Sequence, residues 1–214
     1  MKKHLIIILA ILALVCTAQA QRSRGKQVSR FTYMTSIGYS NGVGNINIKD
    51  STGALIQSVN NNIPNFSLHQ LLAYQFDNFF TMGIGAGFDI WRTTAFIPLY
   101  LNLSVNMTST TKVAPMAYLN LGWSFKWYNQ TKPDATNRVV HGTEWGPMGE
   151  FGLGARLRFT DKLSLVISGI YKAQFSKIGY SVVNPGEADY SHLYPNRHQN
   201  ALYHFAGVRI GIAY

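Results

Sequence analysis

Phe80-Thr81-Met82-Gly83-Ile84-Gly85-Ala86-Gly87-Phe88-Asp89-Ile90 alternates without a break between two kinds of residue. Phe80, Met82, Ile84, Ala86, Phe88 and Ile90 are apolar, whereas Thr81, Gly83, Gly85, Gly87 and Asp89 are small or polar. A repeat of two is the repeat of a β-strand, whose successive side chains point to opposite faces. The two faces differ in an unusual way. One is aliphatic in its middle and aromatic toward its ends, while the charge sits on the face built from glycine. A strand at the surface of a soluble core shows apolar residues against the core and charges to water.

Seven further runs follow the rule along the chain. Tyr33, Thr35, Ile37 and Tyr39 oppose Thr32, Met34, Ser36, Gly38 and Ser40. Phe66, Leu68, Leu72, Tyr74 and Phe76 share a face, with Gln70 as its polar exception. Ile97, Leu99, Leu101, Leu103 and Val105 oppose Pro98, Tyr100, Asn102, Ser104 and Asn106, and Ala117 to Phe125 repeats the scheme against Tyr118, Asn120, Gly122 and Ser124. Phe151, Leu153, Ala155, Leu157 and Phe159 oppose Glu150, Gly152, Gly154, Arg156 and Arg158. Leu163 to Lys172 is less regular, because Val166 and Ile170 interrupt its polar face. Ala206, Val208, Ile210, Ile212 and Tyr214 oppose Phe205, Gly207, Arg209, Gly211 and Ala213.

Apolar residues outward with aromatic girdles, and a polar interior, describe a membrane-spanning β-barrel. A soluble lipocalin-type barrel reverses the arrangement. The expected fold is therefore all-β: an eight-stranded antiparallel transmembrane β-barrel in up-and-down order, over residues 31–214. The sheet must close, because each unpaired N–H or C=O in hydrocarbon costs several kcal/mol. Eight strands leave an interior that side chains fill, which argues against a wide pore. Charged residues are only 13% of the chain, against roughly 25% in soluble domains. The connections alternate as well. Asp77-Asn78, Met107 to Lys112 and Thr160 to Lys162 are short, whereas Asn41 to Pro64, Lys126 to Gly146 and Ala173 to Asn200 read as long polar loops. Trp91 to Ala95 is short on the side where long loops are expected.

Ahead of the strands, residues 1–20 read as a secretory signal: Lys2 and Lys3, the apolar run Leu5 to Val15, then Ala18-Gln19-Ala20. Cys16 suggests a lipoprotein leader as the rival, but Val15 stands where a small residue normally precedes such a cysteine. Cleavage near Ala20 leaves a cysteine-free chain, which excludes disulfides and thiolate chemistry. The formal charge of +10 falls to +8 when Lys2 and Lys3 leave. Arg22, Arg24, Lys26 and Arg30 then form a basic tail over residues 21–30. It reads as solvated, with anionic headgroups or a polyanion as its alternative partners. No nucleic-acid motif accompanies the charge, and no nucleic-acid partner is expected.

The stretch Tyr203 to Tyr214 resembles the closing strand of small outer-membrane barrels, in which hydrophobics alternate up to a terminal aromatic residue. Ile97-Pro98-Leu99-Tyr100-Leu101-Asn102-Leu103, Gly152 to Arg156, and Asp161 to Leu165 leading to Tyr171-Lys172 are similar to the "porin family" outer-membrane barrel domain, the relatives of outer membrane proteins A and X. The resemblance covers nearly all of the chain beyond the leader. It implies the outer membrane of a Gram-negative bacterium, lipid as the surroundings, and insertion by the barrel-assembly machinery reading Val208, Ile210, Ile212 and Tyr214. Tyr214 departs mildly from the commoner Phe. One activity is not implied.

Candidate chemistry lies in three places. Asp89, Glu150, Arg156, Arg158, Lys172 and Arg209 share the inner face and must pair in a narrow lumen, as a static plug or as a gate. The inner glycines alternate in strands and form no phosphate loop; they leave room for Tyr100, Tyr118 and Tyr203. Trp127, Tyr128 and Trp145 in one long connection, and Tyr190 and Tyr194 in another, suit contacts with an extracellular protein or glycan, with aromatic anchoring at the headgroups as the alternative. The segment Asp189 to His198 holds Ser191 and His192 beside Asp189, with His198 as a second histidine, so a Ser–His–acid or two-histidine metal site can be drawn; nothing sets a nucleophile against a base, and it reads as a polar loop. His69, His141 and His204 carry no ligand spacing, and no metal or cofactor is expected. These readings converge on a monomeric, non-catalytic barrel with a structural or surface-interaction role in adhesion or envelope integrity. A narrow ion channel and an outer-leaflet lipid-modifying enzyme are the alternatives.

Overall fold

The computed structural model describes residues 31–49, 55–76, 79–91, 94–106, 112–129, 132–133, 138–160, 163–182 and 197–214. They form twelve strands: β1 (Phe31–Gly42), β2 (Asn45–Lys49), β3 (Leu55–Asn60), β4 (Pro64–Gln75), β5 (Phe80–Trp91), β6 (Thr94–Asn106), β7 (Val113–Asn129), β8 (Lys132–Pro133), β9 (Arg138–Thr143), β10 (Gly146–Arg158), β11 (Ser164–Val182) and β12 (Arg197–Ala213). Eight of them, β1, β4, β5, β6, β7, β10, β11 and β12, pair antiparallel in chain order. The ring closes where Met34 to Gly42 of β1 pair with Ala213 to Phe205 of β12. Tyr33 and Tyr214 exchange backbone hydrogen bonds of 2.8 and 2.9 Å beside that seam. The residues 1–30, read above as leader and basic tail, lie outside the described residues.

Closure removes every free edge from the part of the sheet that must sit in hydrocarbon. The alternation read from the sequence appears as exposure. Ile37, Phe66, Ile84, Leu101, Leu121, Leu153 and Val208 are exposed, while their neighbours Ser36, Ser67, Asn102, Asn120 and Arg209 are buried. The belt is apolar and the lumen polar, and no register slip disturbs the order within the barrel wall apart from the bulge at Ala95/Phe96. That bulge leaves Trp127 as the extra residue between Tyr128, opposite Ala95, and Lys126, opposite Phe96.

The connections differ from the sequence expectation. Asn41 to Pro64 is largely a hairpin, β2 with β3, and Gly44 at φ 69° takes the chain into it. β7 runs on to Asn129 and β11 to Val182, so both extend beyond the expected ends of their runs. The inward–outward alternation continues into these segments, since Ile46, Gln174 and Ser176 are buried while Phe175 is exposed, but polar residues replace much of the aliphatic row that marks the wall. The extension is lopsided. β2 pairs with Asn200 to Leu202 of β12, and β9 pairs with Ile178 to Val182 of β11. Together β3, β2, β12, β11, β9 and β8 make a wall on one side of the mouth. On the other side β5 and β6 turn back at Trp91 and Thr94, forming a low rim.

Two glycines make room for rings, as expected: a Cβ at Gly85 would overlap the Tyr100 ring, and one at Gly152 would overlap the Tyr118 ring. Each pair sits directly across a strand boundary. Tyr203 instead packs on Trp91 and Phe205. Gly152→Ala is expected to lower barrel stability by about 1–3 kcal/mol through overpacking. Tyr118→Leu in the same chain should restore part of that loss, as read from urea unfolding midpoints.

Candidate functional site

The lumen is layered along its axis. At the end where β1 begins and β12 finishes, the terminal end, the inward residues are Thr32, Thr81, Ser104, Asn106 and Arg156 around a small cavity. Above it lies an apolar and tyrosine-rich layer: Met116, Tyr118, Val166 and Ile170 on one side, Leu71, Tyr100 and Met148 on the other, with Met34 packed against both. Val166 and Ile170, which spoiled the polar face of their run, are buried here because this layer of the lumen is apolar.

The next layer is ionic. Glu150 is clasped by Arg209, whose Nη1 donates to Oε1 and whose Nη2 donates to Oε2 at 2.9 Å. Asn120 Nδ2 donates to the same carboxylate at 2.9 Å, and Asn102 Nδ2 donates to Asn120 Oδ1 at 2.6 Å. A second unit has Lys172 Nζ donating to Asp89 Oδ2, with His69 Nε2 at 3.0 Å from Asp89 Oδ1. Arg209 Nη2 reaches Ser67 Oγ at 3.5 Å, and Gln174 Oε1 accepts from Ser124 Oγ at 2.8 Å. Asp89, Glu150, Lys172, Arg209 and His69 are all buried. Each carboxylate thus has a cation and at least one neutral or histidine partner, the condition under which buried charge is tolerable.

Over this layer closes an aromatic lid. Trp91 packs on Phe96, Phe205 and Tyr203 at centroid distances of 4.5, 4.9 and 5.2 Å, with Ile46 and Ala201 completing the cluster. The Lys172 ammonium lies 5.5 Å from the centre of the Trp91 ring, so the lid and the ionic layer share one cation.

Of the six expected lumen charges, the structure brings Asp89 to Lys172 and Glu150 to Arg209, as two separate pairs. Arg156 and Arg158 stand apart at the terminal end of β10. Val208, Ile210 and Ile212 face outward on β12, and Tyr214 stacks on Tyr33 at 6.0 Å. Trp127, Tyr128 and Trp145 are exposed. Trp127 meets Phe88 edge-on at 6.2 Å, while Trp145 lies 5.6 Å from Trp123 with Lys177 over its outer face. Tyr190, Tyr194, Ser191 and His192 lie outside the described residues. Sequence reasoning passed over His69 and the lid. His69 carried a signal in its parity, since it occupies the inward register beside Ser67. Trp91 and Phe96 carried the same signal, because they continue the inward registers of Asp89 and Pro98 to the ends of β5 and β6. No cluster of three or more histidine, cysteine, aspartate or glutamate side chains suited to a metal ion occurs among the described residues.

No protein-family model and no curated protein matches the sequence. Solved structures do match in shape. The outer membrane protein OprG from Pseudomonas aeruginosa is 12% identical with a TM-score of 0.54, over 87% of this chain and 97% of that one. The N-terminal β-barrel domain of Pseudomonas aeruginosa OprF is 9% identical with a TM-score of 0.46, over 87% and 98%. Neisserial surface protein A is 13% identical with a TM-score of 0.43, over 85% and 96%. The first of these, with the closed ring and apolar belt above, is enough for the fold. This chain has the fold of the small outer-membrane β-barrels, with eight strands that cross the bilayer.

Proposed function

We propose that this chain is a non-catalytic barrel of the Gram-negative outer membrane, acting as a sealed structural cylinder that holds a surface for interaction outside the cell. The observation that carries this reading is the double closure of the lumen. Asp89, Glu150, Lys172 and Arg209 neutralise one another across its width, and the Trp91 cluster covers them. A narrow channel needs a continuous wet path, and a paired, buried layer under an aromatic lid opposes one.

The lopsided wall formed by β2, β3, β8 and β9 supports the interaction role, since such barrels carry short periplasmic turns and longer outer segments. The termini then lie on the periplasmic side and the wall outside. Trp127 and Trp145, packed on Phe88 and Trp123 along the outward face, suit headgroup anchoring, so contact with a protein or glycan falls to Tyr128 and the wall. Leader cleavage near Ala20, the basic tail over 21–30, insertion through Val208, Ile210, Ile212 and Tyr214 by the assembly machinery, and a monomeric state complete the proposal.

The test is electrical. The purified full chain, inserted in planar bilayers, should give no conductance steps above the lipid baseline, while Arg209→Ala with Lys172→Ala should give short-lived openings. Steady wild-type conductance would overturn the sealed-cylinder reading. Replacing residues 45–60 by a short turn should leave insertion intact, lower the urea midpoint modestly through loss of Ile46 from the lid, and abolish adherence of cells that display the protein. Unchanged adherence would reject this part of the wall as the contact surface.

A further inference from the structure

We propose that the terminal end of the lumen binds one small anion, a halide or a carboxylate group, on Arg156. Among the described residues the lumen holds two carboxylates, Asp89 and Glu150, and both are already engaged by Lys172 and Arg209. Arg156 is a third inward cation. It lies six positions along β10 from Glu150, about 20 Å of extended chain, far beyond the reach of its side chain. Its Nε is buried and has no hydrogen-bond partner. Arg158, two residues on and on the same face, adds a second positive charge close by. A guanidinium cannot shed its proton to escape burial, so a shielded one demands a counter-charge.

The space for that counter-charge is present. The cavity lined by Arg156 measures about 40 Å³. One water needs roughly 10–15 Å³ by the same kind of measure, so it admits a small anion with a water or two. The hydroxyls of Thr32, Thr81 and Ser104 line it and can donate to an anion. Asn102 and Asn106, also in its wall, each keep a buried carbonyl oxygen without a donor, which the water accompanying an anion would satisfy. An all-water filling would meet these oxygens but leave Arg156 uncompensated.

Two internal rivals exist in the sequence, Asp77 and Asp161, which follow β4 and β10 and lie outside the described residues. The experiment separates them from a bound anion. The full chain in non-ionic detergent is unfolded thermally at constant ionic strength, with chloride or formate exchanged for gluconate, which is too large for the cavity. The wild-type midpoint should rise with chloride and with formate. Arg156→Met should begin above the wild type in gluconate, since it removes an uncompensated cation, and should not respond to either ion. Arg156→Lys should respond with about tenfold weaker half-saturation, for loss of the charge-assisted fork. Asp77→Asn and Asp161→Asn should each respond as the wild type does. In crystals soaked in bromide, an anomalous peak should lie within hydrogen-bonding distance of Arg156. A wild type indifferent to the anion, a response that survives in Arg156→Met, or one that emerges only in Asp77→Asn or Asp161→Asn would each overturn the site. Failure here leaves the sealed-cylinder reading untouched, because that reading depends on the ionic layer higher in the lumen.

Discussion

Arg209→Met is expected to lower the stability of the barrel by about 3–5 kcal/mol, the cost of leaving one partner of a buried ion pair alone. Glu150 is 1% exposed, and Arg209 supplies two of the three side-chain hydrogen bonds it receives. Without Arg209 the carboxylate keeps only the Asn120 amide, in a layer roofed by aromatic rings. The second substitution Glu150→Gln should recover most of the loss, because an amide tolerates that environment where an unpaired carboxylate does not. Lys172→Met should cost less, since Asp89 retains His69 at 3.0 Å. Equilibrium urea unfolding in lipid vesicles, followed by tryptophan fluorescence, compares these variants and Glu150→Gln alone with the wild type. A double-mutant cycle with no coupling between Arg209 and Glu150 would remove the ionic layer as a structural element.

The wall of the barrel was legible in the sequence because lipid on one side and a crowded lumen on the other force a residue to declare its face. Phe80 to Ile90 and Ile97 to Asn106 therefore read directly as β5 and β6. Three things were not legible. The outer hairpin β2 with β3 looks like polar loop because its strands are short and rich in Asn, Gln and Ser, although Asn45-Ile46-Asn47-Ile48 does alternate. The pairing of charges was hidden as well. Lys172 and Asp89 are 83 positions apart, and their meeting depends on shear, register and side-chain reach across the lumen, none of which a single strand encodes. The lid was hidden for a third reason. Trp91 and Phe96 lie toward the ends of β5 and β6, inward by parity, but their partners Tyr203 and Phe205 arrive from the far end of the chain. The inward charges themselves were visible from parity alone, and that was enough to expect a plugged interior without naming its bonds.

Ile84→Arg is the test of the belt, with an expected cost of about 2–4 kcal/mol for a cation near the bilayer midplane. Ile84 is 61% exposed, yet it sits between Leu72 on β4 and Leu101 on β6, in the middle of an apolar row. In water such a residue gives up little, and arginine there would be neutral or would raise solubility. In a bilayer the same change drags a charge into hydrocarbon, and the sign of the effect reverses. Val113→Arg supplies the depth control, because Val113 is also exposed but begins β7 at the terminal rim. There the guanidinium can reach the headgroups, and the cost should fall to about 0–1 kcal/mol. Urea unfolding from phosphatidylcholine vesicles compares the three chains on one scale. The gradient between Ile84 and Val113 carries more weight than either value, since a general loss of packing would penalise both sites alike. Equal costs at the two positions, or an Ile84→Arg chain that becomes monodisperse without detergent, would turn the barrel inside out and remove the membrane from the account.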